Sequence, residues 1–214
     1  MSTRDRHTVA VLLEQQGRTF ASEAGIRLAD RPAPLYQLLV LSTLLSAPIA
    51  SGVGIGAARE LFAAGYRTPR AMLQATWQDR VDALGRGHYR RYDERTATLL
   101  AGSAELCLSR WDGDLRRLHA DAGAGAAGVR DRLTDFPGIG PTGADIFVRE
   151  VQAVWADVAP FVDRRVTAGA ERLHLPSTPE AIAGLAERRR LPELTAALVR
   201  VGRDRKAADA VLSA

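Results

Sequence analysis

The chain has 214 residues, of which 46% are hydrophobic and 25% charged, so it can bury the core of one domain or of two small lobes. Its formal net charge of +4 is mildly basic and fits many classes of protein. A single cysteine, Cys107, excludes an internal disulfide and a four-cysteine metal or iron–sulfur cluster. No apolar run is long enough to span a bilayer, and the N-terminus does not read as a signal peptide, so a cytoplasmic protein is expected.

Hydrophobic residues recur at helical spacing nearly throughout, and no stretch reads as a strand, which predicts an all-α fold. Residues 6–16 predict a first helix, and Leu35 to Ala47 predict a buried helix that is apolar on all sides. The glycine-rich residues 48–56 predict a loop. Their Gly52-x-Gly54-x-Gly56 pattern lacks the full nucleotide-binding fingerprint and a preceding strand. Further helices are predicted over 57–64, from Thr68-Pro69, over 77–84 behind a Thr76 cap, and over 96–108, 115–120 and 129–136, with an Ala/Gly-rich connector over 121–128.

The loop from Gly85 to Tyr92 combines glycine, arginine, histidine and tyrosine. Such a segment fits a solvated loop, and it equally fits a loop that faces DNA. Arginine suits phosphates, and tyrosine can stack on a base that has left the duplex. The candidates here for a base pocket or DNA-facing surface are Arg86, His88, Tyr89 and Tyr92.

The sequence Phe136-Pro137-Gly138-Ile139-Gly140-Pro141 predicts a sharp turn between two short helices. Pro137 ends the first helix, the glycines accept positive φ angles, and Pro141 suits the first turn of the second helix. Backbone N–H groups and the positive end of that helix would then form an anion site that fits a DNA phosphate. The predicted phosphate-binding residues are Gly138, Ile139, Gly140, Thr142 and Gly143.

Asp163 follows in the segment Pro160-Phe161-Val162-Asp163-Arg164-Arg165-Val166, immediately before a predicted helix over 164–173. An aspartate at such a position is ordinarily an N-cap that accepts a hydrogen bond from a backbone N–H. A catalytic role is compatible with that capping role. Beyond it, helices are predicted over 178–190 and 192–201 and in a tail that ends near residue 212.

The turn, the following Ala144 and the Val-Asp segment resemble the helix–hairpin–helix DNA glycosylases of the endonuclease III and adenine glycosylase group. A weaker match at Leu38–Ala47 extends the resemblance over roughly residues 35–202. It implies two helical lobes: residues 35–150, with the helix–hairpin–helix at about 129–154, and residues 1–34 with 151–214, which carry Asp163. The resemblance also implies that the hairpin and Asp163 flank a groove, and that Asp163 lies in the base pocket and supports departure of the base.

This sequence departs from the family pattern at three places. The family's gap-filling glutamine corresponds to Pro48, so Ile49 is a candidate wedge, because small apolar side chains can insert between bases. The lyase lysine corresponds to Thr142, and a threonine has no amine to form an imine. Because Lys206 is the only lysine, Schiff-base chemistry is left to Lys206 or the N-terminal amine. The cluster cysteines are missing after Gly202, so no iron–sulfur cluster is expected.

Together these residues predict a monofunctional glycosylase that hydrolyses the N-glycosidic bond of a flipped, damaged or mismatched base, with Asp163 as its catalytic carboxylate. The expected partner is damaged double-stranded DNA, the expected state is a monomer, and the expected location is the cytoplasm, at the nucleoid during action. No metal bound by side chains and no other cofactor is expected; the resemblance admits a monovalent cation at the hairpin backbone. Two alternatives stay open: a DNA-binding protein without chemistry that recognises distorted duplexes, and a helical module that binds another protein.

Overall fold

The computed structural model describes residues Ser2–Ala214, and within them every regular element is a helix, which confirms the all-α prediction. Two short 3₁₀ helices, Ala156–Val158 and Arg188–Arg190, lie between α-helices. The α-helices are α1 (Thr3–Gln16), α2 (Phe20–Glu23), α3 (Pro32–Ser46), α4 (Ser51–Ala63), α5 (Pro69–Gln74), α6 (Trp77–Arg86), α7 (Asp93–Trp111), α8 (Leu115–Ala122), α9 (Ala126–Leu133), α10 (Pro141–Val151), α11 (Arg164–Arg172), α12 (Pro179–Ala183), α13 (Leu191–Arg203) and α14 (Arg205–Ser213).

The chain divides into two compact units, and one boundary falls inside α10. Unit 2 contains Ala21–Val148, and therefore α3 to α9 with most of α10. Unit 1 joins the N-terminal segment through Phe20 to Arg149–Ala214. The sequence analysis placed the corresponding boundaries at residues 35 and 150.

Helix α3 forms the centre of unit 2. Nine of its fifteen residues are buried, and they include the polar residues Ser42 and Thr43. The two hydroxyls donate to the carbonyls of Leu38 and Leu39 four residues back, so neither enters the core without a hydrogen-bond partner. α4, α7 and α8 pack around this helix.

The glycines after α3 are helical, so the prediction of a loop over residues 48–56 holds for residues 48–50 and is wrong from Ser51 onward. α4 begins at Ser51 and contains Gly52, Gly54 and Gly56. A Cβ on Gly54 would lie 3.1 Å from the Leu45 side chain, and one on Gly56 would lie 3.4 Å from the Gly87 carbonyl. The latter two glycines therefore let neighbouring backbone approach α4. Cβ-free residues serve close packing as well as tight turns.

Arg80 links three elements of unit 2 from a buried position. Its guanidinium donates to the carbonyls of Met72 (2.9 Å) and Ala75 (2.6 Å) at the end of α5, and to that of Ala97 in α7 (3.0 Å). The last carbonyls of a helix have no intrahelical donor, so this arginine supplies hydrogen bonds to groups that would otherwise be buried unsatisfied. Burial lowers the pKa of Arg80 from its usual value.

Unit 1 is built on the close crossing of α11 and α13, against which α1 also packs. Gly169 makes the crossing possible, because a Cβ there would lie only 2.0 Å from the carbonyl oxygen of Leu198. On α13, a Cβ on Gly202 would lie 3.2 Å from the amide nitrogen of Gly169. α1 begins with a capping box between Ser2 and Asp5.

Other helix boundaries differ from the predicted ones. The helix predicted over 178–190 stops at Ala183, and Arg188–Arg190 is a separate 3₁₀ turn. Most of the predicted connector at 121–128 is helical, and three residues, 123–125, separate α8 from α9. Thr68, at the predicted start of a helix, and the predicted cap Thr76 each accept a hydrogen bond from a backbone N–H of the helix that follows. Among the described residues, no helix combines the length and the apolarity that crossing a membrane requires.

We expect Gly87→Ala to destabilise the protein, because the new Cβ would meet the backbone of Ala57 at 2.4 Å. Overpacking of this kind costs about 1–3 kcal/mol, and a clash with backbone should cost at least that. Gly85→Ala, two residues earlier in α6, is the matched control: nothing lies within 4 Å of its Cβ, and alanine favours helix by about 1 kcal/mol. Chemical denaturation measures both, and equal stability of the two variants would contradict the close approach.

Candidate functional site: the hairpin turn and the Asp163 carboxylate

The turn between α9 and α10 agrees with its sequence in part: Gly138 has a positive φ, whereas Gly140 does not, and α9 ends at Leu133, before the predicted end at residue 136. Gly138 has φ = 86°, and a Cβ there would lie 3.1 Å from the Thr43 side chain and 3.3 Å from that of Leu99. Any larger residue would therefore be strained in conformation and crowded against α3 and α7. The N–H of Ile139 donates to the Phe136 carbonyl (3.0 Å), and the side chains of both residues are buried. The turn is thus anchored on both sides by apolar contacts.

The start of α10 presents backbone donors next to this turn. Ala144 is the first residue of α10 whose N–H bonds back, to the Gly140 carbonyl at 3.0 Å. The preceding N–H groups of a helix have no intrahelical acceptor, so those of Thr142 and Gly143 are directed out of its N-terminus. Gly140 is exposed, and nothing lies within 4 Å of a Cβ built on it. Of the five predicted phosphate contacts, Ile139 has its N–H engaged inside the turn and Gly143 is buried, so Gly138, Gly140 and Thr142 remain candidate donors.

Two arginines offset the acidic residues around the turn. Arg110 in α7 lies 2.5 Å from the Asp135 carboxylate, and Arg130 in α9 lies 2.6 Å from that of Asp145 in α10. All four side chains keep partial solvent exposure, so the pairs add little stability. Their relevance is electrostatic, because unpaired carboxylates at these positions would repel an anion at the start of α10.

Asp163 lies in unit 1 at the N-cap of α11, as predicted, and both of its carboxylate oxygens are engaged. Oδ1 accepts from the N–H groups of Arg165 (2.9 Å) and Val166 (3.0 Å). Oδ2 accepts from Nη1 of Arg149 in an ion pair. The side chain is 8% exposed and that of Arg149 is 3% exposed, so the pair is largely removed from solvent.

Arg149 was not among the residues singled out from the sequence, although a signal was present. The run from Ile146 to Val151 is apolar except for Arg149 and Glu150, and two charges in a buried helix require partners. Glu150 accepts from the N–H of Phe20 at 3.2 Å. Gln152, just beyond α10, accepts from the N–H of Phe161 at 3.0 Å. The end of α10 is therefore a buried polar cluster that positions the segment leading to Asp163.

The loop before α7 divides into a buried and an exposed part. Tyr89 was predicted to face DNA or a base; it is 2% exposed, and burial raises the pKa of its phenol. Its packing into unit 2 excludes it from the protein surface, although it lines a cavity. His88 is exposed with φ = 61°, and Arg86 pairs with Glu60 of α4 at 3.1 Å. Arg86 and His88 border a second cavity of about 430 Å³ that also contacts Val53.

The other predicted contact residues meet in a cavity of unit 2 with a volume of about 330 Å³, which we call the tyrosine cavity. It brings together Pro48, Tyr89, Tyr92 and Gly138, which are far apart in sequence. The candidate wedge Ile49, which follows Pro48 in the chain, is half-buried and is not one of the residues that line this cavity. The lining residues are Thr43, Ser46, Ala47, Pro48, Tyr89, Tyr92, Arg95, Thr96, Leu99 and Gly138.

No protein-family model matches this chain, and no curated protein matches it. Two solved structures are similar over 95% of this chain and 87% of their own: a trapped covalent endonuclease III–DNA intermediate in an estranged-adenine complex, and a non-covalent endonuclease III–DNA complex. Each has a TM-score of 0.56 and 15% sequence identity. The likeness shows that the chain has the fold of these endonuclease III structures, in agreement with the fold that the turn and the Val-Asp segment predicted. At this identity it establishes the fold alone.

We expect Arg149→Met to cost about 3–5 kcal/mol of unfolding free energy, because it leaves the Asp163 carboxylate buried without its cation. The double variant Arg149→Met/Asp163→Ser removes both charges and keeps a serine N-cap, so it should be more stable than Arg149→Met alone. Arg164→Met, at an exposed neighbouring arginine, should change stability by no more than about 0.5 kcal/mol. Denaturant titration of the wild type, Arg149→Met, Asp163→Ser and the double variant gives the coupling energy, and purely additive losses would rule out the ion pair.

Proposed function

We propose that this protein binds duplex DNA through the hairpin turn and hydrolyses the N-glycosidic bond of a displaced base, with Asp163 as the catalytic carboxylate. The observation that carries the proposal is the state of Asp163: an almost fully buried carboxylate whose orientation is set by two backbone N–H groups and a guanidinium. An N-cap alone does not require this, since serine or threonine caps a helix nearly as well. A buried ion pair is also a poor way to gain stability.

The hairpin supplies the DNA-binding half of the proposal. The open N-terminus of α10 and the exposed Gly140 offer donors to a phosphate without reading any base. The nearby ion pairs of Arg110 and Arg130 reduce repulsion from Asp135 and Asp145. Both similar solved structures are complexes of endonuclease III with DNA. Binding at this turn is therefore expected to depend on salt and to be insensitive to sequence.

The chemistry assigned to Asp163 follows from its partners. As the bond between the anomeric carbon and the base nitrogen breaks, its electron pair leaves with the base and positive charge develops on the sugar. A carboxylate held by three donors is a well-oriented anion, and preorganised charge is an effective way to stabilise a developing charge. Water then adds to the anomeric carbon and loses a proton, while the departing base gains one. Asp163 in this proposal stabilises the cation and orients the water.

The absence of an amine at Thr142 limits the proposed reaction to hydrolysis. Thr142 lies in the first turn of α10 with its side chain half-buried, and its hydroxyl cannot form an imine with the opened sugar. Lys206, the single lysine, is exposed at the start of α14 in unit 1. The proposed product is thus an abasic site in an uncut strand, and the proposal needs neither a metal nor an iron–sulfur cluster.

One observation favours a second function, that of a DNA-binding protein without chemistry. Arg149 places a positive charge directly on Asp163, and this charge opposes the electrostatic stabilisation of a cationic sugar. In that case the carboxylate serves α11 and the buried polar cluster, and the hairpin alone carries the function. The two candidates differ in one measurable outcome, the release of a free base from a duplex that the protein binds.

For binding, we expect Thr142→Glu to weaken affinity for a paired duplex about tenfold, because it sets a carboxylate among the proposed phosphate donors. The same change should not destabilise the fold, since a negative charge suits a helix N-terminus. Gln74→Glu, an equal change of net charge at an exposed site on α5, is the control and should bind like the wild type. Fluorescence anisotropy at several salt concentrations measures both. Equal affinities of the two variants would remove the hairpin from the interface.

For catalysis, we expect the purified protein to release a base from at least one duplex in a panel of alkylated, deaminated and oxidised lesions. Asp163→Asn alone would leave Arg149 buried and unpaired, so the informative variant is Arg149→Gln/Asp163→Asn, in which both groups are neutral. It should bind DNA like the wild type and lose on the order of 10²-fold in excision rate.

Borohydride treatment during the wild-type reaction should trap no covalent complex, because hydrolysis passes through no imine. A trapped complex would contradict the one-step reaction. Full excision by the folded double variant would exclude Asp163 from catalysis. Tight binding of distorted duplexes without release of any base in the panel would support the non-catalytic alternative.

A further inference from the structure

Gln152, the residue that follows α10, uses its side chain to hold two separate stretches of backbone, and it is 5% exposed. Its Nε2 donates to the carbonyl of Arg149 at 2.9 Å and to that of Phe161 at 3.4 Å, and its Oε1 accepts from the N–H of Phe161 at 3.0 Å. An amide carries a donor and an acceptor side by side, so this one side chain pairs with both backbone groups of Phe161, as a neighbouring strand would.

These contacts fix the backbone on both sides of the ion pair. Arg149 is the residue whose guanidinium pairs with Asp163, and Phe161 lies two residues before Asp163. Between Gln152 and Phe161 the chain forms a loop that contains the 3₁₀ turn Ala156–Val158. The bonds from Gln152 to Phe161 close this loop at its base, so the course of the loop does not have to determine where Asp163 lies.

The other partners of Asp163 determine its distance from α10 only loosely. The two N–H groups on Oδ1 belong to Arg165 and Val166, so they move with α11 itself. The Arg149 side chain reaches Asp163 from α10, but it is long and can follow a carboxylate through a range of positions. Gln152 is thus the contact that holds the backbone before Asp163 against the end of α10.

We propose that Gln152 is a positioning residue for Asp163, which holds the carboxylate in place without touching the reacting atoms. The inference rests on the proposed catalysis by Asp163. Preorganised charge is effective only where the new charge develops, and a displacement of about 1 Å can cost about 10²-fold in rate. Loss of the Gln152 amide should therefore slow the chemical step and leave the binding of DNA at the hairpin turn unchanged.

The test variant is Gln152→Met, which keeps the approximate length of the side chain and removes all three hydrogen bonds. Two other variants are controls. Gln15→Met makes the same change at an exposed position on α1. Val211→Ala removes apolar contacts at a buried position on α14, so it lowers the stability of unit 1 without changing the contacts of Gln152. Thermal unfolding confirms that each variant is folded.

Hydrogen exchange of single amides, followed by NMR, measures the positioning without any reaction. In Gln152→Met we expect the amides of Phe161, Arg165 and Val166 to exchange about tenfold faster relative to the rest of unit 1. The first loses its acceptor, and the other two donate to Asp163. Val211→Ala should show no such selective effect, and Gln15→Met should exchange like the wild type.

Two results of the exchange experiment would overturn the proposal. Unchanged exchange at Arg165 and Val166 would show that Asp163 keeps its place without Gln152. Equal acceleration of all amides in unit 1 would show a general loss of stability and no positioning. If Gln152→Met does not fold, Gln152→Asn carries the same test, because its amide is a methylene shorter and cannot bond to both backbone segments.

Excision kinetics give the second readout, on the lesion duplex that the wild type cleaves fastest. Gln152→Met should lose about 10- to 100-fold in kcat with an unchanged Kd for that duplex, whereas both controls should keep the wild-type kcat. A wild-type kcat in folded Gln152→Met would overturn the positioning role. A wild type that releases no base would instead refute the proposed function, and the exchange experiment would still show whether Gln152 holds Asp163 in place.

Discussion

The ion pair between Arg149 and Asp163 is the constraint on which most of the site depends. It joins the end of α10 to the start of α11 across the segment from Gln152 to Val162, and it does so almost out of contact with water. Removing two charges from water is costly, and one well-oriented pair recovers that cost only when the remaining hydrogen bonds are also made. They are made here: two N–H groups of α11 complete the coordination of Asp163, and Glu150 and Gln152 are tied to backbone groups nearby.

The same pair determines what kind of chemistry Asp163 can support. The positive charge paired with Asp163 belongs to Arg149 in α10, the helix that begins at the hairpin turn. A carboxylate in this arrangement is a rigid source of negative potential, partly compensated by its partner. Whether the remaining potential is sufficient for glycosidic cleavage decides between the two functions considered above, and it depends on the balance of two charges in one small volume.

Sequence reasoning succeeded where the determinants are local. The turn at Pro137–Gly140, the helix start at Thr68, the caps Thr76 and Asp163, and the apolar α3 were all predicted, since each depends on residues within one or two helical turns of itself. Likewise, the all-α class follows from a spacing repeated along the whole chain. The likeness to endonuclease III complexes agrees with the fold inferred from the turn and the Val-Asp segment.

Sequence reasoning failed where a distant partner decides the outcome. Glycines at every second position are typical both of a loop and of a helix that packs closely against other backbone. Gly54 and Gly56 belong to a helix because Leu45 packs against the first and Gly87, about thirty residues further along the chain, packs against the second. Tyr89 reads as a surface aromatic until its packing is known. Arg149 could be recognised as a buried charge, but its pairing with Asp163 across fourteen residues is a product of the tertiary fold. Sequence patterns therefore predict local periodicity well, and contacts between residues that are distant in the sequence poorly.

Cys107, buried in α7 in a setting that raises the pKa of its thiol to about 12, gives the molecule a practical property. A thiol reacts as its thiolate, and at neutral pH the Cys107 thiol is protonated and, being buried, inaccessible to reagents. The native protein therefore has no thiol that reacts with labelling reagents, and Cys107 does not need to be replaced before a labelling experiment. One cysteine introduced near the hairpin would be the sole accessible handle for a spectroscopic probe or for disulfide tethering to a modified oligonucleotide.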